Sequence, residues 1–287
     1  MLFTPNLTVE QMLALQAQAD ADKKNTRPDT NCPDTLPRLS ASTYAMNTTV
    51  NCCALFGTLR GLERIEYVKK AFDATNGGRV TYKGPELRQD DKAVLLELIH
   101  QRRNMFAGEI EFAPSTLCAR MGWSRNSEGS ERLRKCLERL TEGTLRLDKT
   151  TASGAMFHLL SGFTWDGDKW TATLHYEVTN LFPTRHFAYL NIGTRRQLTT
   201  GLQTWLYDYI SSNDCRMVMT YAALREACGR PDEDPKQFVD YVKAALARLI
   251  SVGAIVKFEL AKCPHAKKPG VLVTKKIGRQ HLTKMAV

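Results

Sequence analysis

One pattern of residues occurs twice in the sequence, about 107 positions apart, and it restricts the fold more than any single motif. The first copy runs VLLELIHQRR, APSTLCARMGWS and GSERLRKCLERLTEGTLRLD, and the second runs LQTWLYDYISS, MTYAALREACGRP and DPKQFVDYVKAALARLISVGAIVKFEL. Pairing Gly122 with Gly229 also pairs Leu98 with Trp205, whereas Arg139 pairs with Arg248 at an offset of 109. Each copy predicts a helix, a short helix, a turn, a longer helix and then strands that form a hairpin.

The helix boundaries in both copies carry recognisable signals. The short helices have polar residues suited to N-caps, Ser115 and Thr220, and they end at Gly122 and Gly229, since glycine readily closes a helix. Apolar residues three and four positions apart predict one buried stripe on each longer helix. The stripes are Leu133, Leu137 and Leu140 in the first copy, and Phe238, Val242, Leu246 and Leu249 in the second.

A helix–turn–helix followed by a β-hairpin predicts a winged helix, so the expected fold class is α+β with two tandem winged-helix domains. Residues 51–190 would form the first domain with an N-terminal extension, and residues 191–287 the second, basic domain. Residues 1–50, rich in Pro, Asp, Asn, Ser and Thr, have a linker composition and predict a flexible, largely disordered N-terminal segment. In a helix–turn–helix the second helix enters the DNA major groove.

The charge distribution favours a polyanionic partner. The chain has 40 basic and 30 acidic residues, and residues 194–287 alone carry 16 basic and 8 acidic side chains. A positive field that is concentrated in one segment is typical of nucleic-acid binding. Basicity that served only solubility would be spread more evenly along the chain.

In the first domain, the exposed face of the longer helix and the residues before it are candidates for base contacts. Arginine can pair bidentately with guanine, and asparagine with adenine. The alternative is a solvated charged face with i,i+4 pairs such as Glu131–Lys135. The candidates are Arg125, Asn126, Ser127, Ser130, Arg134 and Lys135.

In the second domain, lysines dominate the candidate residues. Lys236, Gln237 and Lys243 lie outside the apolar stripe, and five lysines on the last predicted hairpin would clamp phosphate groups. Those five are Lys262, Lys267, Lys268, Lys275 and Lys276. The alternative is an exposed loop that lysines keep soluble. The pair Arg195 and Arg196 would either contact a phosphate or bridge the domains. The sequence does not distinguish between these two roles.

Signatures of catalysis are missing from the sequence. It has no GxxxxGK[ST] motif, no HxH pair of the kind a metal-dependent nickase uses, and no acidic cluster typical of a two-metal nuclease. Asp90 and Asp91 are predicted to lie in the first turn of a helix, where negative charge complements the helix dipole. We therefore expect no enzyme, no metal and no cofactor. The eight cysteines form no CxxC pair and indicate a reduced, cytoplasmic protein, and no apolar run is long enough to span a membrane.

Four short segments resemble those of a known family, in the same order and at similar spacing. TYKGPELRQDD, LCARMGWS, LFPTRHFAYLNIGTRRQL and DYISSN resemble the TrfA plasmid replication initiators over about residues 50–260. The resemblance implies a tandem winged-helix initiator that binds direct repeats, or iterons, in double-stranded DNA at a plasmid origin. Such proteins aid duplex opening and, with host DnaA, the loading of the replicative helicase.

The resemblance also implies further partners. Monomers of such families bind iterons, whereas the self-dimer is usually inactive, and members contact the polymerase sliding clamp through a short apolar peptide. CCALF would place that peptide at Leu55 and Phe56, with Cys52 where the family has Gln. The alternative is that Leu55 and Phe56 simply pack on the domain.

We expect a cytoplasmic protein associated with the nucleoid and its plasmid. A winged-helix transcriptional repressor and, with less support, a rolling-circle nickase are the alternative functions.

Overall fold

The computed structural model describes residues 42–76, 78–102, 109–148, 154–180, 187–213, 216–262 and 268–275. The predicted flexibility of residues 1–41 falls outside the described residues. The helices are α1 (Thr48–Asn51), α2 (Gln89–Arg102), α3 (Pro114–Met121), α4 (Ser127–Glu142), α5 (Tyr176–Asn180), α6 (Ile192–Arg196), α7 (Leu202–Ser211), α8 (Tyr221–Ala227) and α9 (Pro235–Ser251). The strands are β1 (Thr43–Asn47), β2 (Phe56–Gly57), β3 (Glu66–Asp73), β4 (Arg79–Pro85), β5 (Leu87–Arg88), β6 (Glu109–Phe112), β7 (Thr144–Asp148), β8 (Gly154–His158), β9 (Leu160–Asp166), β10 (Lys169–Leu174), β11 (Phe187–Asn191), β12 (Arg216–Thr220), β13 (Ile255–Lys262) and β14 (Pro269–Lys275).

Two units of the chain share one connectivity. The first unit runs α2, β6, α3, α4, β9, β10, with β7 and β8 inserted between α4 and β9, and its sheet order is β6-β10-β9. The second unit runs α7, β12, α8, α9, β13, β14, and its sheet order is β12-β14-β13. All of these strand pairs are antiparallel. Each unit is therefore a helix–turn–helix closed by a hairpin, which we call the wing. The α+β fold class is confirmed, and the repeated sequence pattern corresponds to a repeated topology.

The first strand of each unit was missed from the sequence. β6 and β12 lie between the first and second helices, and each pairs with the last strand of its wing. The segment EIEF alternates, because Ile110 and Phe112 are buried while Glu109 and Glu111 are exposed. That period of two is the signal of a half-buried strand. Four residues are too few for it to stand out in a sequence.

The first unit carries an extra four-stranded sheet with the order β3-β4-β7-β8. The segment MFHLLSGFTW, predicted as one strand, is divided at Leu159 between β8 of this sheet and β9 of the wing. The predicted turn at residues 166–168 is confirmed, and Gly167 has a positive φ of 52° there. β1 pairs with β11, so the boundary predicted at residue 50 lies too far along the chain.

The helix ends agree with the sequence except at one cap. Gly122 and Gly229 have positive φ angles of 74° and 78°, and the Thr220 side chain accepts from the Ala223 N–H. Ser115 is not a cap, because Pro114 is the first residue of α3 and the N-cap is Ala113. Proline is favoured at that first position since it lacks an N–H. Both predicted apolar stripes are buried.

The two units meet across a buried network of polar side chains. Lys92 Nζ of α2 lies 2.8 Å from Asp208 Oδ2 of α7, and both side chains are fully buried. Arg195 Nε lies 3.1 Å from Asp208 Oδ1, and Arg195 Nη2 donates to Gln89 Oε1 at 3.2 Å. Arg195 is thus the bridge between units rather than a phosphate contact. None of the helices in the described ranges is long and apolar enough to cross a membrane.

Candidate nucleic-acid interface

The longer helices α4 and α9 begin at capped, exposed ends that point out of their units. Asn126 accepts from the Gly129 N–H at 3.0 Å, and Asp234 accepts from the N–H groups of Lys236 and Gln237. The buried stripes hold the opposite faces against the cores. Each unit therefore exposes the start of the second helix of its helix–turn–helix. In such motifs this part of the helix reads the bases.

The structure places the first set of predicted DNA contacts around the start of α4. Arg125, Ser127 and Lys135 are exposed, while Ser130 and Arg134 are half-buried. The Asn126 Oδ1 atom caps the helix, so bidentate pairing with adenine would require that cap to be given up. Asn126 is explained by the helix start, and the remaining residues of the set stay predictions.

The outermost ridge of α4 is acidic. Lys135 Nζ lies 3.5 Å from Glu131 Oε1, as the alternative of a solvated face with i,i+4 pairs requires. Arg134 Nε lies 3.0 Å from Glu138 Oε1. The carboxylates that run along this ridge belong to Glu128, Glu131, Glu138 and Glu142. A phosphate backbone would be repelled by the ridge as a whole, so any attraction must come from its flanks.

Two arginine–tryptophan stacks flank α4, and neither was predicted. The guanidinium carbon of Arg132 lies 4.0 Å from the centroid of the Trp123 ring, in the turn before the helix. The same atom of Arg134 lies 5.1 Å from the Trp165 ring, on the first wing. A sequence shows no sign of such pairs, because the partners are brought together only by the turn and the hairpin.

On α9 the predicted contacts lie on two different flanks. Lys236 and Lys243 are seven residues apart and share one flank, where Lys243 Nζ is 3.9 Å from Asp240 Oδ1. Gln237 lies on the other flank and donates to the Tyr241 hydroxyl at 2.7 Å. The ridge between them carries the exposed side chains of Asp240, Ala244 and Ala247. Two of these three side chains are small.

The described lysines of the predicted clamp are spread along the second wing. Lys262 is the last residue of β13 and Lys268 precedes β14, so both lie towards the tip of the hairpin. Lys275 ends β14, about 20 Å from the tip for a strand of this length, and its Nζ donates to the Asn213 carbonyl oxygen. Lys267 and Lys276 fall outside the described residues. The length of β14 therefore separates Lys275 from the lysines towards the tip, and the phosphate contacts of the other lysines stay predictions.

Asp90 and Asp91 form part of a buried ion network at the start of α2. Asp91 Oδ1 lies 2.7 Å from Arg139 Nη2, and Asp91 Oδ2 lies 3.0 Å from Arg64 Nη1. Burial raises the pKa of Asp90, but Arg64 and Arg139 outweigh it and leave that pKa lowered. The pKa of Asp91 is raised by burial and by Asp90.

The thiol of Cys136 lies close enough to these carboxylates to form with them a group of three potential metal ligands. Burial and the two aspartates raise the pKa of Cys136 well above its usual value, which keeps the thiol protonated. Because Arg64 and Arg139 already hold the carboxylate oxygens, the group fits an ion-paired helix start better than a cation site. The network fixes the start of α2 against α4.

The segment expected to bind a sliding clamp is part of the core. Leu55 and Phe56 are 2% and 1% exposed, and Phe56 in β2 pairs with Leu87 in β5. A clamp-binding peptide must offer its apolar side chains to a partner, so residues 52–56 do not serve in this conformation. The alternative, in which both side chains pack on the domain, describes the structure.

Comparison with known proteins identifies one family. Residues 32–263 match the family model described as TrfA protein. No curated protein matches the chain.

Two solved structures have a similar fold. Domains 2–3 of RctB align with a TM-score of 0.56 and 13% identity, covering 80% of this chain and 97% of that chain. The Pi initiator protein in complex with iteron DNA aligns with a TM-score of 0.51 and 9% identity, covering 83% and 100%. At these identities the likeness establishes the fold alone.

Proposed function

This chain belongs to the TrfA family of plasmid replication initiators, and we propose that it acts by binding direct repeats in double-stranded DNA at a plasmid origin. In this proposal the protein binds and deforms the duplex, which aids its opening, and it performs no catalysis. The observation that carries the proposal is the duplicated helix–turn–helix with its wing, in which α4 and α9 each present an exposed, capped N-terminus.

The buried contact between the units supports one long binding site instead of two independent ones. Lys92, Asp208 and Arg195 tie α2 to α7, which are the first helices of the two units. Helices α4 and α9 therefore approach DNA as parts of one body. A pair of reading helices in a fixed arrangement suits a site longer than one helix can read.

The second unit supplies most of the phosphate contacts in this proposal. Lys236 and Lys243 share one flank of α9 beside a ridge that carries Ala244, Ala247 and Asp240. Lys262 and Lys268 lie towards the wing tip. Lysine side chains that neutralise phosphates release counterions, which gives affinity with little dependence on base sequence. The first unit, with its acidic ridge, is left to discriminate between sequences.

Family membership supports further partners as proposals. We propose that the bound protein, together with host DnaA, assists loading of the replicative helicase, and that self-dimers compete with the DNA-binding monomer. A sliding-clamp contact would need a segment other than residues 52–56. The protein would act in the cytoplasm, on its plasmid in the nucleoid.

DNase I footprinting of the full chain on DNA flanking its own gene tests the proposal. We expect protection of several copies of one sequence in the same orientation, and origin firing in trans in a plasmid-maintenance assay. Protection of a single inverted repeat, without plasmid maintenance, would overturn the proposal in favour of a transcriptional repressor.

Incubating the protein with supercoiled origin plasmid and Mg²⁺ or Mn²⁺ tests the absence of catalysis. The plasmid should stay supercoiled. Conversion to the open circle by the purified protein would favour a nickase.

A further inference from the structure

The side chain of Arg134 is held from two sides at the edge of α4. Its Nε donates to Glu138 Oε1 at 3.0 Å, one helical turn further along. Its guanidinium carbon lies 5.1 Å from the centroid of Trp165. The arginine side chain is still 43% exposed. A charged side chain that is both stacked and hydrogen-bonded loses less freedom when it binds a further partner.

The aromatic platform is itself fixed by the first wing. Trp165 precedes the turn at the tip of the wing and lies opposite Trp170 in the β9–β10 ladder. Trp170 is buried, and its Nε1 donates to the Gly167 carbonyl oxygen. Phe163, two residues back on the same face, has its ring centroid 5.0 Å from that of Trp165. Trp165 remains 52% exposed, although it is the side chain that supports Arg134.

The hydrogen bond to Glu138 does not use the two terminal nitrogens of Arg134. Glu138 accepts from Nε, and the centroid of the Trp165 ring lies 5.1 Å from the guanidinium carbon. The edge formed by Nη1 and Nη2 has two parallel donors. Guanine presents two acceptors, O6 and N7, in the major groove at the matching spacing.

We propose that Trp165 and Glu138 hold Arg134 so that its terminal nitrogens read one guanine, which makes Trp165 a positioning residue for base specificity. The inference rests on the proposed function, because it assumes that α4 lies in a major groove. It assigns the first wing a role in sequence discrimination, in addition to any contact of its own with the DNA backbone.

The local charge argues against a simple phosphate contact. Glu138 offsets the charge of Arg134, and the tip of the wing adds Asp166 and Asp168. A phosphate contact depends mainly on net positive charge, whereas guanine recognition depends on the direction of the donors. The arrangement at Arg134 lowers the net positive charge but keeps the direction of the donors.

The other stack on α4 provides a matched control. Arg132 lies over Trp123 on the opposite flank, and its charge acts on Asp90 at the start of α2. That stack joins the turn to the helix without involving the wing. Trp123→Ala therefore removes an arginine–tryptophan contact of the same kind while leaving Arg134 and its supports in place.

The experiment uses the full chain and a pool of duplexes with a random 20-base-pair centre. The wild-type protein selects a preferred site, and each guanine in that site is then replaced singly. We expect one position where replacement weakens wild-type binding roughly five- to a hundredfold and where Arg134→Ala loses the preference. Trp165→Ala should lose the preference at the same position, to within about twofold. Trp165→Phe and Trp123→Ala should keep it.

Each other outcome is decisive. A wild-type protein that selects no sequence would overturn the proposed function, and this inference with it. If Arg134→Ala loses the position while Trp165→Ala keeps it, only the role of Trp165 fails. If Trp165→Ala weakens binding to every duplex equally, and Trp123→Ala does the same, then Trp165 has only a structural role. If Trp165→Ala does not fold, Trp165→Leu replaces it, since leucine keeps apolar volume without an aromatic face.

Discussion

Helices α4 and α9 occupy the same place in two units of the same topology, but their outer surfaces differ in charge and in bulk. The ridge of α4 carries four glutamates, and two of them pair with Arg134 and Lys135. The ridge of α9 carries Ala244, Ala247 and one acid, Asp240, beside Lys236 and Lys243. One scaffold can thus be used in two ways. A ridge of four glutamates with offset charges suits discrimination, and a less acidic ridge with small side chains and two lysines beside it suits affinity.

Position 134 and its counterpart at the offset of 109 show the difference most clearly. Arg134 is supported by Trp165 and Glu138. Among the residues that the structure describes, Lys243 pairs with Asp240 at 3.9 Å, and Ala247 stands where the first unit has Glu138. A lysine is a flexible point charge, whereas a supported arginine is a directed fork.

The largest expected effect contrasts Arg139 with its counterpart Arg248. Arg139 holds Asp91, which is fully buried, whereas the exposed Arg248 donates to the Gln197 carbonyl oxygen. Arg139→Ala should lower the free energy of unfolding by about 3 kcal/mol, because a buried carboxylate loses a partner. Arg248→Ala should cost less than about 1 kcal/mol. Urea unfolding of both variants measures this, and equal losses would mean that the start of α2 needs no buried ion network.

A second prediction concerns the salt dependence of DNA binding. Lys236→Ala combined with Lys243→Ala should lower the slope of log K against log[salt] by about two, since each lost phosphate contact removes roughly 0.9. Lys135→Ala in the first unit should change the slope less, because Glu131 already offsets its charge. Fluorescence anisotropy with a labelled duplex between low and moderate salt gives both slopes. Equal changes in the two units would contradict the division of roles.

A third prediction concerns a buried thiol of the second unit at alkaline pH. Cys228 of the second unit stands where the first has Met121, and burial raises its pKa from 9.0 to about 11. Between pH 9 and 11 the unfolded chain releases this proton while the folded chain keeps it. Stability therefore falls as the pH rises, by about 1.4 kcal/mol per pH unit for one proton.

The variant Cys228→Ala isolates that proton. It should be less stable than the wild type at pH 8, because the substitution leaves a small cavity, but its stability should decline less steeply between pH 9 and 11. Denaturant titrations across this range measure the difference. Parallel declines would mean that the thiol ionises equally in both states.

Local sequence patterns, repeated in both units, made much of the fold predictable. The apolar stripes of α4 and α9, the glycines after α3 and α8 and the turn at residues 166–168 follow from local patterns, and the family match confirms the resemblance to TrfA proteins. The four-residue strand β6 is too short to show a period. MFHLLSGFTW is continuous in pattern, but its two halves find partners in different sheets.

The candidate site was less predictable, because side-chain partners lie far apart in sequence. Lys275 resembles its neighbouring lysines in sequence, yet it ends a strand and contacts the carbonyl of Asn213. Trp165 joins Arg134 only after the wing folds over α4. A one-dimensional pattern gives the face of a helix on which a residue lies, but it gives neither the end of a hairpin nor the partner across a turn.

The buried contact of Lys92 and Arg195 with Asp208 has a consequence for inheritance. Its members come from both units, and each charge is tolerated in the interior only while the others are present. A recombination event that exchanged one unit for that of a distant relative would leave an unmatched charge at the junction. The two halves, although built to one plan, are therefore expected to be inherited and to diverge as a pair.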